Sequence, residues 1–160
     1  MMTNADLMRK IVNDVKVDFS DEFDRNFTRK AFFDKPWPKR RFGDSPLLIE
    51  TGDLRKSLRA RVSGDTVIWS SHLKYSAIQN EGGRIKVTAK RKRFFWAKYK
   101  EEKHEYWKAM ALKKEGSYIT IPARRFVGWH QSLNKNVQAI VGRRVKQFAD
   151  ELAKEINKKL

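Results

Sequence analysis

Apolar side chains keep a helical period at both ends of this 160-residue chain and a period of two in its middle. That switch confines the fold more than any other feature. A 3.6-residue pattern and a 2-residue pattern cannot bury their apolar sides as the same element. Leu7, Ile11, Val15 and Phe19 recur at i, i+4 and predict an amphipathic helix from about residue 4, with Asn4 as its cap. Phe23 and Phe27 repeat the spacing after Ser20, so the helix continues or restarts there. At the other end, Leu133, Val137, Ile140, Val141, Val145, Phe148, Leu152, Ile156 and Leu160 mark one face of a long helix. Arg143, Lys146 and Lys154 decorate its surface.

Between these ends the signals are short. Residues 35–46 hold three of the four prolines, which break helix and sheet alike, and predict a long surface loop with Trp37 as an aromatic anchor. Thr51 or Asp53 can cap a short helix whose apolar side is Leu54 and Leu58. Gly52 is expected to allow a backbone turn that a side chain would block. Ala60 and Val62 alternate with Arg59 and Arg61, and Val67 and Trp69 with Ile68 and Ser70. With Ser63-Gly-Asp-Thr66 between them, this reads as a β-hairpin. Residues 75–80 predict a short helix stopped by Gly82 and Gly83. Residues 84–88 and 118–121 predict strands, the second ended by Pro122.

The order predicts an α+β fold. A small antiparallel sheet of about four strands is flanked by the N-terminal helix and the long C-terminal amphipathic helix. The chain reads as a single domain, 1–160. It divides into an N-terminal helical region (1–31), a Pro/Trp-rich loop (32–46), a core (47–88 and 117–160) and a basic insertion (89–116), partly helical and exposed.

The 36 Lys and Arg exceed the 19 Asp and Glu, for a net charge of +17. Residues 1–34 carry −1, whereas 35–88, 89–115 and 116–160 carry +6 each. The excess therefore lies beyond the first helix. It fits nucleic acid, an anionic surface, an acidic partner or a solvated exterior. The absence of Cys excludes a disulfide framework, a thiolate metal site and a Cys nucleophile. No apolar run reaches the roughly 18–20 residues of a membrane span. The N-terminus alternates charged and apolar residues, unlike a secretory leader, so the cytoplasm is the expected compartment.

Chemistry is sparse. His72, His104 and His130 stand in no metal-ligand spacing, and Glu101, Glu102 and Glu105 lie among lysines as helix-surface ion pairs would. Gly82 and Gly83 lack a phosphate-loop context, and no G-x-S-x-G is present. The expectation is no catalytic residue, no metal and no cofactor. The best local nucleic-acid signal is Lys90, Arg91, Lys92 and Arg93 followed by Phe94, Phe95 and Trp96, which can supply phosphate contacts and base stacking. The same aromatics can equally pack on the domain or on a neighbouring subunit.

Three segments together resemble the tail-completion, or virion morphogenesis, proteins of tailed bacteriophages. They are Leu48-Ile-Glu-Thr-Gly-Asp-Leu-Arg-Lys-Ser-Leu58, Tyr75-Ser-Ala-Ile-Gln-Asn-Glu-Gly-Gly83 and Ile121-Pro-Ala-Arg-Arg-Phe-Val-Gly128. The resemblance spans about residues 33–156, including the Pro-Trp-Pro segment upstream of Thr51. Gln79 stands where the family often has His, and Ser76 where Ala is common. The resemblance implies a non-enzymatic phage or prophage protein that completes the tail or joins head and tail, of neck or tail-terminator type. It also implies a homo-oligomeric ring, other virion proteins as partners, possible DNA contact and no membrane. Its place would be the virion, and the bacterial host cytoplasm during assembly. Thr51, Gly52, Leu54, Leu58, Tyr75, Ile78, Gly82, Gly83, Pro122 and Phe126 then have packing roles. Arg55, Arg124 and Arg125, with Lys90, Arg91, Lys92 and Arg93, are the candidates for subunit or DNA contacts. An intramolecular salt bridge is an equal alternative for the three arginines.

Overall fold

Four residues turn an α-helix by about 400°, so an i, i+4 stripe slips about 40° at each step. A helix built on Leu7 through Phe27 therefore winds its apolar stripe from one neighbour to the next. The computed structural model of the chain, which describes residues 3–39, 47–48 and 51–158, contains such a helix, α1 (Asn4–Arg29), unbroken through Ser20. Ser20 is accommodated because its hydroxyl donates to the carbonyl of Lys16 at 2.6 Å and accepts from the indole N–H of Trp69 at 3.1 Å. The cap is Thr3, not Asn4. Thr3 Oγ1 accepts from the N–H of Asp6 and the Asp6 carboxylate accepts from the N–H of Thr3, a reciprocal box that satisfies two otherwise orphan donors.

The early part of α1 packs antiparallel on α6 (Gln131–Asn157). Asp18 accepts from Asn136 at 2.7 Å, and Asp14 accepts both ends of the Arg144 fork at 2.7 Å, with Arg143 at 3.3 Å. Of the face predicted for α6, Leu133 and Ile140 are buried, whereas Val145 and Ile156 are largely exposed. Leu160 lies outside the described residues. The hydrogen bonds from Arg144 hold the Asp14 carboxyl below its usual value of 3.8. A depressed carboxyl pKa contributes stability above 3.8 that is lost as pH falls through the folded-state value. Asp14→Asn removes that contribution at every pH. Its deficit against the parent chain, read as urea midpoints, is expected to be present at neutral pH and to shrink below pH 3.8. A deficit that stays constant through acid would contradict this linkage.

The later part of α1 meets strands. β3 (Leu58–Ser63) and β4 (Thr66–Ser71) form the predicted hairpin, and Gly64 at φ 62° supplies the positive φ of its two-residue turn. Phe19 stacks on Trp69 of β4 at 5.9 Å, and Phe23 meets the same ring edge-on at 5.3 Å. β5 (Gly83–Lys86) pairs antiparallel with β6 (Tyr118–Ile121), which Pro122 follows. β1 (Ala31–Phe32) and β2 (Lys35–Pro36) make a two-residue ribbon at the start of the segment read as loop, while residues 40–46 lie outside the described residues.

The fold is α+β, but among the described residues the strands form three two-stranded sheets rather than one sheet of four. Pro122 ends β6, and beyond it Arg124 bonds to the backbone of Gln79 while Phe126 and Val127 bond to the side chain of Asn80, so the chain does not run on as a strand. The principal core is Phe27, Trp37, Leu54 and Phe126, with Leu48, Leu58, Leu73 and Val127 packed against it. Among the described residues no helix is long and apolar enough to cross a membrane.

Candidate functional site

A segment with no secondary structure must find partners for each buried N–H and C=O. Residues 122–128 are such a segment, and their partners come from three directions. Trp37 donates its indole N–H to the carbonyl of Arg125 at 2.6 Å. Asn26, fully buried on α1, donates to the carbonyl of Phe126 at 3.1 Å and accepts from the N–H of Phe33 at 3.0 Å. Asn80, on α3 (Ser76–Glu81), accepts from the N–H groups of Phe126 and Val127 at 2.9 and 3.1 Å and donates to the carbonyl of Val127 at 3.1 Å. The N–H of Arg124 donates to the carbonyl of Gln79 at 2.8 Å. Together these bonds clamp 124–127 to α1, to the Pro/Trp segment and to α3 at once.

This clamp brings the three motif segments together. Leu54 of α2 (Asp53–Ser57) is buried against Phe126, and Leu58 packs beside it. Gly82 ends α3 at φ 73°, so close to the third segment that a Cβ would stand 2.8 Å from the nitrogen of Ala123. Gly83 opens β5, and a Cβ there would press Ile78 at 3.1 Å. Gly52 also has a positive φ of 73°, but a Cβ would meet only the end of Lys56, so backbone conformation and not lack of space selects glycine. Neither predicted residue caps α2 through its side chain. Thr51 accepts from the N–H of Asp53 one step earlier, and Gly52 holds the cap position. Tyr75, expected to pack, is 44% exposed. Phe126 is buried, but α6 begins only at Gln131, behind a cap in which His130 Nδ1 accepts from the N–H of Ser132.

Asn26 and Asn80 are the residues that sequence reasoning missed. Asn26 did carry a signal. It lies beside Phe27 and three residues after Phe23, on the apolar side of the helix, where a polar residue must have found a buried partner.

Beside the clamp lies a groove of about 450 Å³, walled by Phe32, Lys35, Trp37, Arg125, His130 and Trp129. Trp129 stands at its side 68% exposed, the most exposed large apolar residue among those described. His130 stacks flat on Phe33 at 4.2 Å, and its Nε2 lies 3.1 Å from the Asp34 carboxylate. Because Nδ1 accepts at the helix cap, Nε2 carries the ring proton and donates to Asp34.

The three arginines fare differently. Arg55 forks onto Asp24 of α1 at 2.5 Å through both nitrogens, and its hydrogen bonds lower the Asp24 pKa. Arg124 is buried, with Nε donating to the carbonyl of Pro38 at 3.1 Å. Arg125 lies over the Phe32 ring at 5.5 Å and 3.8 Å from Glu81, with its side chain half in solvent.

Lys90 to Arg93 stand elsewhere, on an arm. The arm consists of α4 (Ala89–Glu102) and α5 (Glu105–Ala111), inserted between β5 and β6 and packed mainly on each other. Phe95 stacks on Trp107 at 6.1 Å, and Met110 and Ala111 are buried. Its base is fixed. Val87 exchanges backbone bonds with Ser117 and Gly116, and the N–H of Ala89 donates to Glu115 at 3.1 Å. Thr88 caps α4 by accepting from the N–H of Arg91, and His104 caps α5 likewise.

A family model for phage virion morphogenesis proteins matches residues 31–146, which take in the clamped segment with Trp37 and Asn80, the groove and the arm, but not Asn26. No curated protein and no solved structure matches the chain.

Proposed function

Since the chain belongs to the phage virion morphogenesis family, with a role in building the phage particle, we propose that it completes the tail or joins head and tail, as a non-enzymatic subunit of a ring. The observation that carries this reading is the convergence of the three family-like segments on one clamp, inside the matched region. An architecture of packing and capping, with two of its three imidazoles, His104 and His130, fastened as helix caps, suits a building block better than a reaction centre. Arg125 and Trp129 at the groove belong to the residue types that dominate protein interfaces, and we place a neighbouring virion subunit there. Arg55 is a second contact candidate, once its exposed pair with Asp24 opens. The protein acts in the host cytoplasm during assembly and ends in the virion.

Deletion of the gene from its phage or prophage is expected to leave heads and tails that do not join, seen by negative-stain microscopy, and a plasmid copy is expected to restore whole particles. Normal virions without it would overturn the reading. Light scattering across concentration, alone and with neck and tail-tube proteins, is expected to give a ring or a defined complex. A strict monomer that binds no virion protein would count against it.

A further inference from the structure

We infer that the outer side of α4 is a sequence-independent site for duplex DNA, met through its phosphates. The inference rests on the arm alone and does not need the assembly role. Residues 89–115 hold ten cations and four carboxylates. The carboxylates are all engaged within the arm. Glu101 and Glu102 lie 3.0 and 3.1 Å from Lys98, Glu105 lies 3.6 Å from Lys108, and Glu115 holds the N–H of Ala89. Arg91 is turned to the carbonyl of Lys86 at 2.7 Å. On α4 itself, Lys90, Lys92, Arg93 and Lys100 are left without an anionic partner among the described residues.

Four consecutive cations on a helix point four ways, so the run read in the sequence is not itself a patch. Helical geometry selects another set. Lys90, Arg93 and Lys100 fall within about 80° round α4 and along about 15 Å of its length. All three are exposed, and no residue of α4 is buried. Such a stripe repels itself until anions meet it, and B-DNA presents one charge per roughly 1.7 Å of its axis.

The aromatics argue against base stacking. Phe94 and Trp96 are two residues apart, about 200° round the helix, so they cannot offer faces to successive bases. Each is also engaged within the arm, Phe94 with Trp107 at 6.0 Å and Trp96 with Tyr99 at 6.0 Å. An acidic protein is the weaker match, because protein interfaces deplete lysine, and two of the three stripe residues are lysine.

The test is fluorescence anisotropy of the full chain with labelled duplexes of unrelated sequence, over a series of potassium chloride concentrations. The logarithm of the affinity is expected to fall linearly with the logarithm of salt, alike for each duplex. The K90Q/R93Q/K100Q chain is expected to show a slope shallower by about 2.7, at about 0.9 for each phosphate that is no longer neutralised. K135Q/K146Q/K154Q on α6 removes equal charge and is expected to change the slope by less than about 0.9, the share of a single phosphate. F94S/W96S is expected to keep it. No binding, an unchanged slope in the α4 triple variant, or an equal loss in the α6 control would overturn the inference. So would competition by polyglutamate as effective as by duplex, which would assign the stripe to an acidic protein.

Discussion

Trp37→Ala is expected to cost about 3–5 kcal/mol, the range for removing a buried aromatic, and so a large part of the stability of a domain of this size. Two losses combine. The indole fills the core against Phe27 at 5.8 Å, and its N–H satisfies the carbonyl of Arg125. Trp37→Phe separates them. It keeps most of the ring and gives up the hydrogen bond, for an expected cost of about 1–3 kcal/mol, since the buried carbonyl is left unpaired. Urea unfolding followed by circular dichroism measures both. Equal costs for the two variants would mean that packing contributes little and that the core is wrongly placed.

Gly82→Ala is expected to be nearly as severe. At φ 73° and ψ −179° the backbone lies in a region almost reserved for glycine, at about 1–3 kcal/mol for another residue. The added Cβ would also stand 2.8 Å from the nitrogen of Ala123 and 3.0 Å from the carbonyl oxygen of Ile121. These are backbone atoms and cannot swing aside, so the third segment must shift, for about 1–3 kcal/mol more. The shift would also pull at the neighbouring bond between Arg124 and Gln79. Gly64→Ala is the comparison. It shares a positive φ but has nothing within 4 Å, so only the conformational cost of about 1–2 kcal/mol applies. A Gly82 variant no worse than the Gly64 variant would remove the close approach from the account.

Much of this is legible in the chain. The helical stripes at both ends, the hairpin about Gly64 and the strand ended by Pro122 are short-range patterns, and each forms where the pattern lies. What the pattern misjudges lies one step beyond local information. The four predicted strands fit one sheet as well as two separate ribbons, and nothing in the strands themselves says which. The Lys90–Arg93 run looks like a patch only while adjacency in sequence is taken for adjacency in space. The helix scatters those four side chains and substitutes Lys100 for two of them.

The clamp is the clearest division between the two levels. Periodicity determined that α1 and α6 would be helices, because a turn of helix is decided by residues three and four apart, and the glycine stop at Gly82 and Gly83 marked α3. It could not say that Asn26 and Asn80 would reach across 100 and 46 residues to the backbone at Phe126. Asn80 reads locally as an indifferent surface residue, and Asn26, on the apolar side of α1, signals a buried partner without saying which. Only when tertiary packing buries an asparagine must its amide find partners, and the unpaired backbone of 124–127 supplies them. The family-like segments were visible as words in the sequence. Their meeting at one corner, which gives them a common task, was decided by the burial of polar groups that had no local alternative.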